Sequence, residues 1–495
     1  MDPLTDFIAV LPEALLLGCA CLVLVADLFL RERHPNAAYG MTLVSLAAVA
    51  AAAAGPLSTG LERYAFGGMY LSDAMSAVLK LTAIFATALT LVYARSYALK
   101  RGMWRGELFA LGLFALLGVM SMISANNLIM VYLGLELQSL ALYGLVALRR
   151  DDARATEAAM KYFVLGALAS GFLLYGMSML YGATGTLDIN ALAQRIHSGQ
   201  PIHSVLVLGT IFVVAGIAFK LGAAPFHMWV PDVYQGAPTP VALLLASAPK
   251  LAAFAIAFRI LVEGLPQLAV DWQRMIAVLA LTSIAVGNVT AVAQTNLKRM
   301  LGYSTVAQMG FLLLALLAGV VGGNTAITAG AYGAAMFYVV TYALATAGCF
   351  GVILLLSREG FEAEEIADLR GLAKRSPWYA FVMTLLMLSL AGLPPTVGFT
   401  AKFVVLQALV SESGSGPMWW LAVIAVLFSV VGAFYYLRIV KTMWFDEGTD
   451  QHPLEAGPDM RIALTANGLA LLVLGILPQG LLALCNGAVL RALGG

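Results

Sequence analysis

The sequence is poor in charge and in cysteine. Only 11% of its 495 residues are charged, whereas a water-soluble domain carries roughly 25%. The formal net charge is +1 and no basic face stands out, which argues against a nucleic-acid-binding protein. The four cysteines include no CxxC pair of the kind found in metal or redox sites. A Walker motif, a GxGxxG turn after a strand and paired intramembrane histidines are also missing, so we expect no nucleotide hydrolysis and no electron transfer.

Long apolar runs are abundant: 61% of the residues are hydrophobic and the mean hydropathy is +0.89. A bilayer core of about 30 Å is crossed by about 20 apolar residues in a helix. The runs predict an all-α polytopic membrane protein with fourteen transmembrane helices, called spans 1 to 14 here. Their cores are 8–30, 38–55, 74–95, 107–124, 127–148, 156–181, 204–222, 239–262, 274–293, 300–319, 328–356, 379–410, 418–440 and 461–485. The first run follows acidic rather than basic residues, which favours a retained helix over a cleaved signal peptide.

Basic residues are distributed unevenly between the two sides. The loops after odd-numbered spans hold 18 Lys and Arg, whereas the other loops and the C-terminus hold 5. Because short cytoplasmic loops are enriched in Lys and Arg, both termini are expected on the non-cytoplasmic side.

The spans contain five lysines: Lys80, Lys161, Lys220, Lys250 and Lys402. A charge at the bilayer centre costs at least ~2.5 to 3.5 kcal/mol, so each needs an explanation. Lys80 and Lys161 lie near span ends and could reach an interface by snorkelling. The other three have apolar flanks on both sides and are expected to be functional.

Glu136 is the acidic residue that we place near the middle of a long apolar helix. The positions four residues away hold Tyr132 and Leu140, so its counter-charge must come from another span. Lys161 in span 6 and Lys220 in span 7 are both candidates.

Spans 7 and 12 share an interruption: KLGAAPFHMW surrounds Pro225, and LAGLPPTVGFTAKF surrounds Pro394 and Pro395. Proline removes a backbone hydrogen bond, and the freed groups must face protein or water. Two matched breaks five spans apart predict an internal repeat with a site at the breaks. His227 follows the first break and could relay protons near neutral pH, or simply pack in the core.

These ionisable residues predict a lateral path for protons. Desolvation favours the neutral amine and a nearby carboxylate favours the ammonium, so one Glu–Lys contact can load or unload a proton. Moving a proton against ~150 to 200 mV takes about 3.5 to 4.6 kcal/mol. Two lysine charges ~8 Å apart supply only about 2 kcal/mol, so several coupled groups and an outside energy source are needed.

The sequence resembles the antiporter-like membrane subunits of respiratory complex I, NADH:quinone oxidoreductase, over nearly its whole length. The resemblance is carried by LGLELQSLALY in span 5, KLGAAPFHMWVPDVYQGAPTPV across span 7, SAPKLAAF in span 8, NLKRMLGYSTVAQMG leading into span 10 and GLPPTVGFTAKF in span 12. Lysine at 402 is typical of the N-type subunit, since the M-type paralogue has glutamate there and the L-type extends into a lateral helix.

For the fold, the resemblance implies two inverted five-helix repeats, spans 4–8 and 9–13. The N-terminal spans then occupy 1–106, the first repeat 107–262, the second repeat 272–445 and the C-terminal helix 446–495.

For the site, the resemblance implies a gating glutamate, two proton carriers and a central relay between them. These are Glu136, then Lys220 and Lys402 as carriers, His227 and Lys250 as the relay, Lys161 in a less certain role, and Tyr303 with nearby polar residues either lining the axis or packing in the core.

The resemblance places the redox chemistry elsewhere. NADH, FMN, iron–sulfur clusters and quinone are expected in partner subunits and no cofactor on this chain, with an M-type subunit and small membrane subunits as neighbours in a bacterial inner membrane. Three alternatives stay open: a relative with another electron donor, a subunit of a multisubunit cation/proton antiporter, and a structural spacer. The spacer predicts that neutralising Lys220 or Lys402 leaves pumping intact.

Overall fold

The computed structural model describes residues 3–199, 202–319, 325–410, 418–448, 450, 452, 454 and 457–494. Within these residues the chain is mostly helical, and 13 helices are long and apolar enough to cross a membrane. Two shorter apolar helices occupy the position of span 12. The predicted membrane architecture is therefore confirmed. Span 12 consists of two shorter helices, because it is interrupted where the sequence predicted.

The N-terminal third holds seven helices and a small hairpin. Its helices are α1 Pro3–Leu30, α2 Ala37–Ala53, α3 Gly55–Thr59, α4 Ala74–Lys100, α5 Gly106–Ile123, α6 Leu128–Val146 and α7 Ala153–Thr184. Strands β1 Arg63–Ala65 and β2 Tyr70–Ser72 pair antiparallel, with Arg63 opposite Ser72. The sequence did not predict this hairpin, because three-residue strands are too short for an alternating pattern to stand out.

The middle of the chain contains the first interrupted spans. Its helices are α8 Ile189–Ser198, α9 His203–Leu221, α10 Trp229–Gly236, α11 Thr239–Ala246 and α12 Ala248–Ala257, followed by a π-helical turn Phe258–Gly264 and a 3₁₀ turn Pro266–Leu268. Helices α9 and α10 form span 7. Span 8 is also interrupted, at Ser247, which was not predicted.

The C-terminal part repeats the pattern of long and broken helices. These are α13 Ala269–Val292, α14 Leu297–Leu317, α15 Thr325–Leu356, a 3₁₀ turn Ile366–Leu369, α16 Leu372–Arg375, α17 Pro377–Ala391, α18 Val397–Val410, α19 Trp419–Phe445, α20 Pro458–Ile476 and α21 Gln479–Ala492. The prediction of a single span 14 over 461–485 was wrong. That span ends at Ile476, ahead of Pro478, and α21 is a separate helix.

The innermost elements are the two halves of span 8, together with α14 and α15, which are almost wholly buried. Helix α15 packs against α4, α11, α14, α17, α18 and α20. Helices α1, α7, α19 and α20 expose one apolar face each, as helices at the outside of a membrane protein do. The two breaks therefore lie beside a dry interior, where unpaired polar groups are costly.

Candidate functional site

The break in span 7 begins with a left-handed glycine. Helix α9 ends at Leu221, and Gly222 takes a φ of 81°. The N–H groups of Gly222 and Ala223 both donate to the Ala218 carbonyl, at 2.9 and 2.8 Å. Glycine allows this helix end without strain. The final carbonyls of α9, at residues 220 and 221, are left to find partners outside the helix.

The break in span 12 has the same construction. Helix α17 ends at Ala391, and Gly392 takes a φ of 82°. Here the N–H groups of Gly392 and Leu393 donate to the Leu388 carbonyl, at 3.0 and 2.9 Å. The two predicted breaks are thus alike in backbone conformation as well as in sequence.

A lysine ammonium caps each of these helix ends. Lys250 Nζ donates to the carbonyls of Lys220 and Leu221, at 3.1 and 2.9 Å. Lys402 Nζ donates to those of Leu390 and Ala391, at 3.1 and 3.0 Å. The C-terminal end of a helix carries partial negative charge, which suits a cation. Within the described residues neither ammonium has a carboxylate at ion-pair distance. Backbone carbonyls hold both, and Lys402 also donates to Ser429 Oγ at 3.1 Å.

Lys220 binds the helix that carries the predicted glutamate. Its Nζ donates to Ser139 Oγ at 2.6 Å, and the residue is 7% exposed. Ser139 follows Glu136 by three residues on α6, so both lie on one helix face. Glu136 is half-buried, and no ion pair between its carboxylate and Lys220 is present among the described residues. Of the two cations left open by the sequence, Lys220 is the one that binds a residue of the Glu136 helix.

Lys161 lies instead on the flank of the molecule. Its Nζ contacts Asp232 and Glu157, each at 2.8 Å, and its side chain is 43% exposed. Asp232 also binds Arg299 at 2.6 Å. Because its partners are surface carboxylates, Lys161 belongs to a network that joins α7, α10 and α14, and it does not contact the other predicted lysines.

His227 and Tyr303 are neighbours at the first break. Their ring centroids are 6.3 Å apart, and His227 is half-buried. The buried His227 Nδ1 has no hydrogen-bond partner among the described groups. The described hydrogen bonds of Lys250 go to the backbone of α9, so the structure does not join Lys250 directly to His227.

A glutamine on α14 links Lys402 to a group of tyrosines. Gln308 Nε2 donates to the Leu390 carbonyl at 2.8 Å, the same oxygen that Lys402 contacts. It also donates to the Tyr436 hydroxyl at 3.0 Å, and its Oε1 accepts from the Tyr338 hydroxyl. Gln308 belongs to the polar stretch around Tyr303 that the sequence indicated, whereas the tyrosines gave no signal, since a phenol is unremarkable in an apolar helix.

Further polar contacts extend this group along α14. The Tyr342 hydroxyl donates to Thr305 Oγ1 at 2.8 Å. A cavity of about 20 Å³ lies between Gln308, Tyr342 and Lys402, which is room for one water molecule. Tyr234, on α10, has a buried hydroxyl with no hydrogen-bond partner among the described groups. Lys220, Lys250, Tyr234, Thr305, Gln308 and Lys402 are called the central row from here on.

The cavity beside Lys402 suits water rather than an organic cofactor. Among the residues that the structure describes, no three His, Cys, Asp or Glu side chains converge to hold a metal ion. The central row can therefore hold protons and water.

Lys80 does not reach an interface by snorkelling, which was the explanation offered from its place in the sequence. It is 2% exposed, and its Nζ lies 2.7 Å from Glu13 Oε1. Glu13 is itself buried within α1. Glu136 is therefore not the only carboxylate inside an apolar helix. The signal for Glu13 was available, since it stands six residues into the predicted span 1.

A polar cavity of about 110 Å³ opens at the end of the molecule where the loops are rich in Lys and Arg. It is lined in part by Arg149, Lys298 and Glu362. Burial would raise the pKa of the Glu362 carboxyl, but hydrogen bonds from Arg101 and Tyr97 and the charge of Arg101 hold its pKa below the ordinary value. Glu362 is thus ionised near neutral pH.

A family model described as "NADH:quinone oxidoreductase/Mrp antiporter, TM" matches residues 125–432. The match includes both broken spans and every residue of the central row. Among curated relatives, "NADH-quinone oxidoreductase subunit N" of Herminiimonas arsenicoxydans is 56% identical over 99% of each chain. The protein of the same name from Polaromonas naphthalenivorans is 58% identical over 97% of this chain and 96% of its own.

Solved structures show the same fold. A chain of respiratory complex I from Thermus thermophilus with bound aureothin is 34% identical, covers 94% of this chain and 98% of its own, and has a TM-score of 0.78. A chain of the archaeal membrane-bound sulfane sulfur reductase has a TM-score of 0.84 at 24% identity, covering 98% of both chains. At that identity only the fold is comparable.

Proposed function

The chain belongs to the NADH:quinone oxidoreductase and Mrp antiporter membrane family, and we propose that it carries protons along the central row. It is a proton-translocating membrane subunit of NADH-quinone oxidoreductase, and other membrane subunits of that complex are its partners. It therefore forms part of a translocase and has no redox centre of its own.

The observation that carries the proposal is the pair of lysines that cap the two broken helices. An ammonium held by carbonyl dipoles, without a carboxylate, can lose its proton and leave no buried anion behind. The neutral amine can then accept a proton from a neighbouring water. Lys250 and Lys402 are thus suited to hold protons in transit, because no adjacent carboxylate favours the charged form.

The distance between Glu136 and Lys220 is the part of the proposed mechanism that changes, at the Lys220 end of the central row. The Lys220 ammonium donates to the hydroxyl of Ser139, three residues after Glu136 on α6. Approach of the Glu136 carboxylate would favour the charged lysine, and withdrawal would favour proton release toward Lys250. One such change of contact supplies only about 2 kcal/mol. Several steps in series are therefore needed to move a proton against the membrane potential.

The middle of the central row needs water. The buried Tyr234 hydroxyl faces no described partner, and the cavity beside Lys402 has room for one water molecule. Water at these two places would join Lys250 through Thr305 and Gln308 to Lys402. His227 and Tyr303 stand at the first break, where they would exchange protons with the row, and Lys161 would act at the flank.

The likeness of the two breaks supports the predicted internal repeat. In each, a left-handed glycine ends the first half-helix and a lysine caps its last carbonyls. We place one repeat in 107–262 and an inverted copy in 272–445, preceded by 1–106 and followed by 446–495.

The driving reaction belongs to the partner subunits. NADH, FMN, iron–sulfur clusters and quinone would be bound there, with an M-type subunit and small membrane subunits alongside. The membrane would be a bacterial inner membrane, with both chain termini on the non-cytoplasmic side, as the distribution of Lys and Arg indicates.

Lys220→Ala tests the proposal in inverted membrane vesicles that contain the whole complex. Proton uptake and NADH oxidation are measured in the same sample, normalised to assembled complex, and the protons moved per NADH are expected to fall. Lys441→Ala is the matched control, because that lysine is 65% exposed and pairs with Asp446. Unchanged uptake per NADH in Lys220→Ala would favour the structural-spacer or antiporter interpretation.

A further inference from the structure

A second group of titratable side chains lies outside the central row, between α1, β2 and α4. Lys80 Nζ contacts Glu13 Oε1 at 2.7 Å and donates to the Tyr70 hydroxyl at 2.7 Å. That hydroxyl donates to Glu13 Oε2 at 2.5 Å. The three side chains close a ring, and all three residues are less than 10% exposed. This ring is called the N-terminal triad.

Stability alone gives a poor account of the N-terminal triad. Burying two charges costs several kcal/mol per ion, so a buried pair is often no better than apolar residues of the same size. Ionisable groups within a membrane mark pathways for ions or protons more often than they serve packing. A tyrosine that both accepts from the lysine and donates to the carboxylate adds a route between them.

A cavity gives the N-terminal triad access to water. It has a volume of about 110 Å³, and its walls combine apolar residues of α1 and α2 with Lys80, Ser72, Ser76, Thr59 and Arg63. About 10 to 15 Å³ is enough to hold one water molecule, so this cavity has room for several. It lies by the hairpin and the start of α4, at the end of the molecule that we assign to the non-cytoplasmic side.

More charged groups continue from this cavity. Ser76 caps α4 together with Asp73, and Asp73 binds the fully buried Arg259 at 2.9 Å. Arg259 also contacts Glu263 at 3.3 Å. Glu263 borders a second cavity, of about 230 Å³, whose wall also includes Glu62. Groups that bear charge therefore extend from the triad toward that end of the molecule.

We propose that the N-terminal triad is a second proton-binding site, which exchanges protons with water on the non-cytoplasmic side. The proposal rests on the proposed function, because it adds an exchange site to a chain that moves protons. It concerns residues of α1, β2 and α4, which the central row does not include.

The exchange can be written with all protons accounted for. The Lys80 ammonium passes one proton to the Tyr70 oxygen, while the phenol proton of Tyr70 passes to Glu13 Oε2. A hydronium ion in the cavity then returns a proton to the Lys80 amine and becomes water. The net change is one proton from cavity water to the Glu13 carboxylate, and the reverse sequence releases it.

The test measures protons moved per NADH in vesicles with Glu13→Gln, with Tyr70→Phe, and with the charge-neutral double variant Glu13→Gln/Lys80→Met. A proton-binding role predicts a loss in all three, with complex assembly retained. A purely structural ion pair predicts that the double variant, which leaves no unpaired charge, recovers full pumping. That recovery, or full pumping by assembled Glu13→Gln, would overturn the proposal.

Two controls complete the experiment. Arg95→Met/Asp459→Asn removes another ion pair of α4, at 2.9 Å, and is expected to leave protons per NADH unchanged. Lys220→Ala, measured in parallel, separates the two claims. If Lys220→Ala loses pumping and the assembled triad variants keep it, the triad proposal fails and the proposed function stands. If the triad variants lose pumping and Lys220→Ala keeps it, the central row fails instead.

Cysteine labelling tests separately whether the cavity is open to water on the non-cytoplasmic side. Ala52→Cys places a thiol on the cavity wall, in a chain where Cys19 and Cys21 are replaced by serine. A membrane-impermeant thiol reagent is expected to react from the non-cytoplasmic side. Reaction from the cytoplasmic side only would contradict the proposed direction of exchange.

Discussion

At the scale of single residues, the lysines of the central row differ from lysines that stabilise proteins. Lys250 and Lys402 bind backbone carbonyls, whereas Lys298 pairs with Glu364 at 2.9 Å and Lys161 with two carboxylates. In a close ion pair, the partner carboxylate favours the charged form of the lysine. Lysines held by weaker dipoles can change their protonation state at a modest energetic cost.

Gln308→Leu should reduce pumping without removing any charge. The Leu390 carbonyl keeps Lys402 and the Tyr436 hydroxyl keeps Ser304, but the buried Tyr338 hydroxyl loses its described partner, which costs about 1 to 3 kcal/mol. The substitution also interrupts the row beside Lys402. We expect fewer protons per NADH at normal assembly.

Gln273→Leu is the control for that substitution. Gln273 also bonds two backbone carbonyls, of Leu317 and Gly319, but lies away from the row. If the two leucine variants pump equally well, Gln308 has no part in proton transfer.

Sequence reasoning could identify residues whose type is unusual for the surrounding sequence. Lysine in an apolar run stands out, so Lys220, Lys250 and Lys402 could be singled out from the order of residues alone. Tyr338, Tyr342 and Tyr436 are common residues in apolar helices, and only their convergence on α14 makes them notable. Lys161 was judged by its neighbours in sequence, whereas its carboxylate Asp232 comes from another helix.

At the scale of elements, the left-handed glycines determine where the lysines can bind. A β-carbon at Gly392 would lie 2.6 Å from Lys402 Cδ, and one at Gly222 would lie 2.6 Å from Val230 Cγ2. Both positions also have a positive φ, which other residues adopt at a cost of roughly 1 to 2 kcal/mol. The breaks thus require glycine for backbone conformation and for space.

Gly392→Ala should lower protons per NADH, because the added methyl group pushes Lys402 away from its carbonyls. Gly185→Ala is the matched control: Gly185 ends α7 with a φ of 71°, but a β-carbon there meets nothing within 4 Å. Both variants should lower thermal stability through backbone strain. A pumping defect in Gly185→Ala as large as in Gly392→Ala would mean that strain, and not the lysine, is responsible.

Glu362 joins elements that are distant in sequence. Its carboxylate accepts from Arg101 at 2.9 Å, from Arg149 at 3.1 Å and from Tyr97 at 2.9 Å. Burial would raise the pKa of Glu362, but these partners outweigh it, so the pKa is lowered in the folded protein. The stability that the Glu362 carboxylate contributes is therefore present above the ordinary Glu pKa of about 4.3 and is lost as the pH falls below that value.

Glu362→Gln should therefore lower the thermal unfolding temperature of the complex by a constant amount between pH 8 and about pH 5.5, and by less as the pH approaches the ordinary pKa of about 4.3. Thermal scans of wild type and variant across this range measure the difference. Glu359→Gln, at an exposed position nearby, is the control. A difference that already disappears near pH 7 would contradict the lowered pKa.

The breaks in spans 7 and 12 were predicted from their prolines, whereas the interruption of span 8 was missed, although Pro249 follows Ser247 by two residues. Ser247 has a φ of −111° and a ψ of −85°, and its hydroxyl donates to the carbonyls of Leu243 and Leu244. Proline has no N–H to donate to the carbonyl four residues before it, so Pro249 marks this interruption as well and the signal was available in the sequence.

At the scale of the whole molecule, hydropathy predicted the number and order of the spans because each helix must satisfy its own backbone in lipid. Hydropathy carries no information on which helices are neighbours. The pairing of Glu13 with Lys80 joins residues 67 positions apart, and that of Lys402 with the end of α17 depends on a turn in the chain. The contacts that make a site therefore had to come from the structure.

The exposed flank of the molecule identifies the side that other subunits are expected to cover. Lys161 and Glu136 both retain access to the surface. Both stand on neighbouring helices, α6 and α7, which pack against each other. A partner subunit at this flank would be well placed to change the distance between Glu136 and Lys220.

The central claim, that Lys220 and Lys402 lie on one connected path, is tested most directly by comparing Lys220→Met, Lys402→Met and the double variant. Protons moved per NADH are measured in inverted vesicles at equal amounts of assembled complex. A single path predicts that the double variant loses no more than the more severe single variant, because either block stops the same proton. Losses that add in the double variant would show two independent paths and contradict the account.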